Sequence, residues 1–160
     1  VSRPRRLTVF AVIRLVLFQP DIPQNAGAMM RLAACMGMSL DLVEPCGFPL
    51  DDQRMRRAGM DYLSMLDLVR HTSWDAFQKI PGGRLVLLTT AGDISYADFA
   101  FRPDDRIIVG RESAGVPIDV HQGVDARIRI PMRPGIRSIN VAQAAAIGVT
   151  EALRQTGQLP

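Results

Sequence analysis

At 160 residues the chain is long enough to close one hydrophobic core without metal or disulfide support. With 48% hydrophobic and 22% charged residues it has the balance of an ordinary globular domain, which excludes a disordered or fibrous chain. The net charge of +3 is local: Arg3, Arg5, Arg6 and Arg14 stand without a neighbouring acid, and from Leu15 onward 15 basic residues face 16 acidic ones. Bulk charge therefore gives no argument for a nucleic-acid partner, and a local patch would have to supply one.

The first fourteen residues, VSRPRRLTVFAVIR, have the basic start and apolar stretch of a signal peptide. The apolar part is short, no small-residue cleavage site follows, and Arg14 interrupts it. We read residues 1–14 as a basic extension and residues 15–160 as a single domain. No apolar run is long enough to cross a bilayer, so no membrane association is expected. Cys35 and Cys46 form no CxxC pair, and His71 and His121 are isolated. Reduced thiols, a cytoplasmic location and no metal are expected.

In chain order, Arg14 to Phe18 (RLVLF) reads as a buried strand ended by Pro20 and Pro23. Asn25 stands as an N-cap before a helix stopped by Gly37, and Met29, Met30, Met36 and Met38 are read as core filler. Leu40 to Val43, Leu85 to Leu88, Arg106 to Val109 and Ala126 to Ile130 read as four further strands. Asn140 to Gln155 is a long terminal helix. Apolar strands alternating with helices predict an α/β fold with a mostly parallel sheet flanked by helices. The terminal helix is apolar almost all round, from Val141 to Leu153, where a surface helix needs only a stripe. Burial by a second subunit, hence a homodimer, is the preferred explanation.

Four segments are candidates for chemistry. Asp21 to Arg31 places Asn25 and Gly27 at a helix start, with Arg31 one to two turns inside and on a side able to reach the same crevice. GRESAGVP, Gly110 to Pro117, follows a strand directly, with two glycines for close backbone approach and the carboxylate of Glu112; it is neither a P-loop nor a dinucleotide fingerprint. Ile130 to Asn140 (IPMRPGIRSIN) is stiffened by two prolines, and Ser138 is a candidate cap for the final helix. Asp51 to Gly59 clusters Arg54, Arg56 and Arg57, whose forks suit phosphate oxygens. Taken singly, each is also readable as a cap, a turn or a solvated charge cluster.

Taken in order, these segments resemble the SPOUT methyltransferases of the TrmH-like branch, which methylate ribose 2′-hydroxyls. The resemblance rests on Asn25, Gly27 and Arg31; on Gly110, Glu112, Gly115 and Pro117; and on Ile130 to Met132 with Arg137 to Asn140. It runs from about Leu15 to Gly157. LFQPDIPQNAG, EPCGFPLDDQRMRRAGMDY and EALRQTG are similar to the minimal tRNA wobble-ribose methyltransferases of the TrmL group, although Ala26 and Ala28 stand where relatives often carry Thr and Asn. The resemblance implies a C-terminal deep trefoil knot holding S-adenosylmethionine among Leu88, Thr89, Gly110, Glu112, Gly115, Ile130, Met132 and Ser138. It implies catalysis by Arg31 supported by Asn25, Ser138 and Asn140, with Arg54, Arg56 and Arg57 contacting tRNA. Methylation of another tRNA position or of ribosomal RNA, and a non-catalytic adenosine-binding RNA-binding protein, are the rival readings.

Overall fold

The computed structural model describes residues 11–51, 53, 54, 57 and 64–160. Its sheet has seven strands, β1 (Arg14–Phe18), β2 (Ser39–Val43), β3 (Asp67–His71), β4 (Leu85–Leu88), β5 (Ile94–Ser95), β6 (Arg106–Val109) and β7 (Ala126–Arg129). They lie in the order β3-β2-β1-β6-β4-β7-β5, and every pairing is parallel. The helices are α1 (Pro23–Cys35), α2 (Trp74–Gln78), α3 (Ile118–Gly123) and α4 (Val141–Gln155).

The twofold alternation of side chains sends each central strand into two cores. Leu15, Leu17, Val86, Ile107 and Val109 join Met29 and Met30 of α1 and Val149 and Leu153 of α4 on one face. Val16, Phe18, Leu87 and Ile108 join Phe77 of α2 and Val120 of α3 on the other. Burial on both faces explains why these strands are nearly unbroken apolar runs. The edge strand β3, with Asp67, Val69 and Arg70 exposed, and the two-residue β5 have no such run, and they are absent from the sequence reading.

Two helix starts differ from expectation. Helix α1 begins two residues before Asn25, with Pro23 in the first turn and Ile22 at the N-cap position. Proline presets the helical φ and lacks an N–H that would go unpaired there, so it takes the start, and Asn25 falls inside the first turn. At the other end Gly37 stops α1 as expected, at φ +66° with the Met38 N–H reaching back to the Ala33 carbonyl at 2.8 Å. Helix α4 is capped by Asn140, whose side-chain oxygen accepts from the N–H groups of Ala142 (2.8 Å) and Gln143 (3.3 Å), and not by Ser138. Nor is α4 buried all round within one chain. Ala145, Gly148, Val149, Ala152 and Leu153 are buried, whereas Ile147 is 37% exposed.

The later strands are interleaved with the earlier ones. β6 enters between β1 and β4, and β7 between β4 and β5. The loop from β4 to β5 consequently wraps β7, with Thr89 N–H on the Ile128 carbonyl at 2.9 Å and Asp93 N–H on the Arg127 carbonyl at 3.1 Å. Gly92 makes the crossing possible: a Cβ there would stand 2.3 Å from the Ile128 carbonyl carbon.

At the start of the sheet, Asp41 is 4% exposed and holds two partners from neighbouring strands. Arg14 donates to it through Nε (2.7 Å) and a terminal nitrogen (3.2 Å), and His71 Nε2 is hydrogen-bonded to it at 2.8 Å. His71, isolated in the sequence, is therefore tied in space across β2 and β3.

Candidate functional site

A cavity of about 550 Å³ opens beyond the carboxyl ends of β4, β6 and β7, where ligands of open α/β sheets bind. Its volume lies in the range of small-molecule and cofactor sites. Three loops and the first turn of α4 build it. Leu88 and Thr89 come from the end of β4, Gly110, Glu112 and Gly115 from the loop after β6, and Ile130, Met132 and Ser138 from the loop after β7. The eight residues assigned to a cofactor from the sequence are thus brought together.

The chemistry of this lining suits a nucleoside. Leu87, Leu88, Ile130, Met132 and Ala144 offer apolar surface, Thr89, Thr90 and Ser138 offer hydroxyls, and the loops offer main-chain donors and acceptors. Hydrogen bonds made inside such a partly dry pocket are stronger than in water. The loop after β6 is folded back on itself. Arg111 and Gly115 exchange main-chain hydrogen bonds at 3.0 and 2.8 Å, Gly115 adopts φ +61°, and Arg111 Nε donates to the Gly115 carbonyl at 3.1 Å. A Cβ on Gly110 would stand 2.8 Å from the Gly115 carbonyl carbon, so this close turn requires glycine.

A polar hub joins this loop to α1 and α4. Glu112 Oε1 accepts from the Val141 N–H and from Asn140 Nδ2, both at 3.3 Å. A carboxylate at a helix N-terminus is favourably placed against the helix dipole. Asn140 Nδ2 also donates to Asn25 Oδ1 at 3.0 Å, which ties α1 to α4. Asn25 lines a small recess beside the main cavity, bordered also by Asp21, Gly110 and Glu112.

Asp21 is the residue that sequence reasoning missed. Its carboxylate accepts from the Glu112 N–H at 3.2 Å and from the Ser113 hydroxyl, and so clasps the loop that carries Glu112. An acid shortly after a strand and ahead of Pro23 was the available signal, but its partners lie more than ninety positions away.

Arg31, Arg54 and Arg57 are not in the cavity lining. Arg31 is on an exposed position of α1 and lines neither the cavity nor the recess. Arg54 and Arg57 are exposed and away from the cavity lining, and Arg56 lies outside the described residues. Among the described residues no group of three or more His, Cys, Asp or Glu side chains could hold a metal ion, and no helix is long and apolar enough to cross a membrane. Cys46 is half-buried, and burial together with the nearby Glu44 pushes its thiol up to about 11.

Comparison with known proteins gives these loops a context. Residues 12–150 match the model of the SpoU rRNA Methylase family. A protein of Beijerinckia indica, named tRNA (cytidine(34)-2'-O)-methyltransferase, is 57% identical over 148 residues, covering 91% of this chain and 92% of its own. A protein of the same name from Ancylobacter novellus is 53% identical over 148 residues, with 91% and 94% covered. Among solved structures, one concerned with the 2-OH methylation of C/U34 on tRNA superposes with a TM-score of 0.85 at 39% identity, covering 91% of this chain and 96% of that one. The SpoU methyltransferase AviRb from Streptomyces viridochromogenes, in complex with AdoMet, gives a TM-score of 0.82 at 26% identity, covering 91% of this chain and 61% of that one.

Proposed function

From a chain that belongs to the SpoU rRNA methylase family, we infer an S-adenosylmethionine-dependent methyltransferase that modifies the ribose 2′-hydroxyl of the tRNA wobble nucleotide, position 34. The observation that carries this is the cavity into which the separate signature loops converge with all eight assigned cofactor residues. The names of the relatives at 57% and 53% identity support the tRNA position. The interleaved strand order supports the deep trefoil knot that the family resemblance implies, in a fold class where knots are otherwise almost absent.

When bound, the cofactor supplies a methyl group already activated by a sulfonium. The 2′-hydroxyl proton passes to solvent as the methyl group is transferred, so the protein's task is alignment. Leu88, Ile130 and Met132 give the adenosine apolar walls, and Thr89, Ser138 and the loop main chain give it hydrogen bonds. Glu112 fixes the N-terminus of α4 and the side chain of Asn140, and Asn140 in turn fixes Asn25. Asn25 sets the position of α1, which carries Arg31 six residues further on, about 9 Å along the axis. Arg31 donates hydrogen bonds to the attacking 2′-oxygen and a neighbouring phosphate. A guanidinium offers five N–H donors and no acceptor, so Arg31 orients the nucleophile. Arg54, Arg56 and Arg57 contact the tRNA backbone. The working unit is a homodimer, supported by the outward side of α4, where Ile147 is exposed. It acts in the cytoplasm, where its substrate is made.

The test is to incubate the protein with methyl-labelled S-adenosylmethionine and unmodified tRNA, with ribosomal RNA in parallel, and to map the label. Label at the ribose of position 34 is the expected result. Label at another tRNA position or on ribosomal RNA would keep the chemistry and reject the substrate. Cofactor binding with no transfer to either RNA would instead favour a non-catalytic RNA-binding protein.

A further inference from the structure

The loop between β7 and α4 has an outer side that the cofactor does not account for. Residues 130–140 contain Arg133 and Arg137 and no acid. Both arginines are exposed, and Ile136 between them is 62% exposed. Elsewhere Arg14, Arg70, Arg84, Arg127 and Arg154 pair with acids, and Arg106, Arg111 and Arg129 donate to main-chain carbonyls. Among the described residues, Arg133 and Arg137 have no ion pair. Two unpaired guanidinium groups flanking an uncovered aliphatic side chain form an anion-seeking surface with one apolar contact point.

Two features give this surface a use. First, it borders the cavity: Arg137 lines it directly, followed by Ser138, Ile139 and Asn140. Second, its backbone is stiff. Pro131 and Pro134 fix their φ angles, Gly135 turns the chain at φ +83°, and the Ile136 N–H reaches the Arg133 carbonyl at 3.4 Å. A stiff loop loses little entropy when a ligand engages it.

We propose that Arg133, Ile136 and Arg137 form a binding surface for the RNA chain at the mouth of the cavity. The two guanidinium groups take phosphates beside the acceptor nucleotide, and Ile136 packs against an adjacent sugar or base. Arginine forks match phosphate oxygens, and single-stranded loops are where RNA leaves backbone and base edges free for such contacts. This rests on the reading of the protein as a tRNA methyltransferase and extends it: the loop that closes one side of the cofactor site also grips the substrate. The anion recognised is an oxyanion, and the alternative source of one is the carboxylate of the cofactor's methionine tail.

The experiment measures binding of an unmodified tRNA across a potassium chloride series, and of S-adenosylhomocysteine by calorimetry, for the wild type, Arg133→Gln, Arg137→Gln, the double variant and Arg133→Lys. Circular dichroism checks that each folds. The double variant is expected to lose roughly tenfold in tRNA affinity and to flatten the salt dependence by about 0.7 per phosphate contact removed, while Arg133→Gln, outside the cavity lining, keeps wild-type cofactor affinity. Arg133→Lys, which keeps the charge, should retain the wild-type slope. Unchanged tRNA affinity and slope in the double variant would overturn the proposal. So would a loss confined to S-adenosylhomocysteine binding, which would assign the arginines to the cofactor carboxylate. A wild-type protein that methylates tRNA while the variants bind normally sinks this surface alone; a wild type that neither binds nor methylates tRNA sinks the functional reading with it.

Discussion

The two ends of the one parallel sheet are built on different principles. Strands β3, β2 and β1 lie side by side in simple reverse order, and a buried side-chain cluster, Arg14–Asp41–His71, ties them together. Strands β6, β4, β7 and β5 are interleaved, and backbone passing close over backbone holds them, with glycine where a side chain would not fit. The cavity belongs entirely to the interleaved end and the α4 turn beside it. A simple parallel order leaves strand ends spread along one edge; interleaving folds the loops after β4, β6 and β7 over one another and encloses a ligand-sized space. The lesson is that the strands of the first half provide a base, and the crossings of the second half make the site.

The sharpest way to break this contrast is at the crossing. Gly92→Ala places a Cβ 2.3 Å from the Ile128 carbonyl carbon and 2.5 Å from its oxygen, and these atoms are backbone, not the far end of a flexible side chain. Loss of more than about 4 kcal/mol in urea unfolding, with cofactor binding lost alongside, is expected. A stable Gly92→Ala protein would mean that the crossing relaxes freely. At the other end, Asp41→Ala leaves Arg14 and His71 without their shared acceptor. It should cost about 3 kcal/mol in the same unfolding assay while S-adenosylhomocysteine affinity of the folded protein stays at the wild-type value. A fall in that affinity would couple the two ends and blur the distinction.

Smaller changes sharpen it. Asp21→Ala removes the acceptor of the Glu112 N–H and the Ser113 hydroxyl, at a cost of about 1 kcal/mol in stability. Its larger consequence should be severalfold weaker cofactor binding, because the Glu112 loop loses its clasp; an unaltered calorimetric titration would show that the loop holds itself. The smallest effect is expected at Glu151 on the surface of α4. Hydrogen bonds from Arg154 and Gln155 pull its carboxyl down to about 2. A folded-state value below the unfolded one stabilises at neutral pH, and that contribution fades as the pH falls from the ordinary carboxylate range through about 2. The pair lies at the surface with Arg154 exposed, so Glu151→Gln should move the melting temperature at pH 7 by no more than about 1 °C.

What was legible in the sequence follows the same division of physics. RLVLF, LVLL and RIIV read as strands because burial on both faces demands unbroken apolar runs. DLVRH, exposed along one side of an edge strand, carries no such demand and stayed hidden. Asn25 looked like a cap because asparagine caps well, but Pro23 two residues earlier sets the helix start. Ser138 looked like a cap for the same reason, and Asn140, two residues closer to the apolar helix, holds that position. The cavity lining was legible only through the order of the motifs, since nothing in local periodicity says that residues 88, 112 and 138 meet. Long-range polar contacts such as Asp21 with Ser113 and Asp41 with His71 have no local signature at all.

The central claim is that the space enclosed by the interleaved strands is the methyl-donor site and that Arg31 acts from outside it. One calorimetric comparison tests both parts: S-adenosylhomocysteine titrated into the wild type, into Ala144→Trp, which fills the cavity from the α4 side, and into Arg31→Ala. The account predicts binding by the wild type, none by Ala144→Trp, and near wild-type binding by Arg31→Ala in a protein that transfers no methyl group. Undiminished binding to Ala144→Trp, or loss of binding in Arg31→Ala, would contradict it.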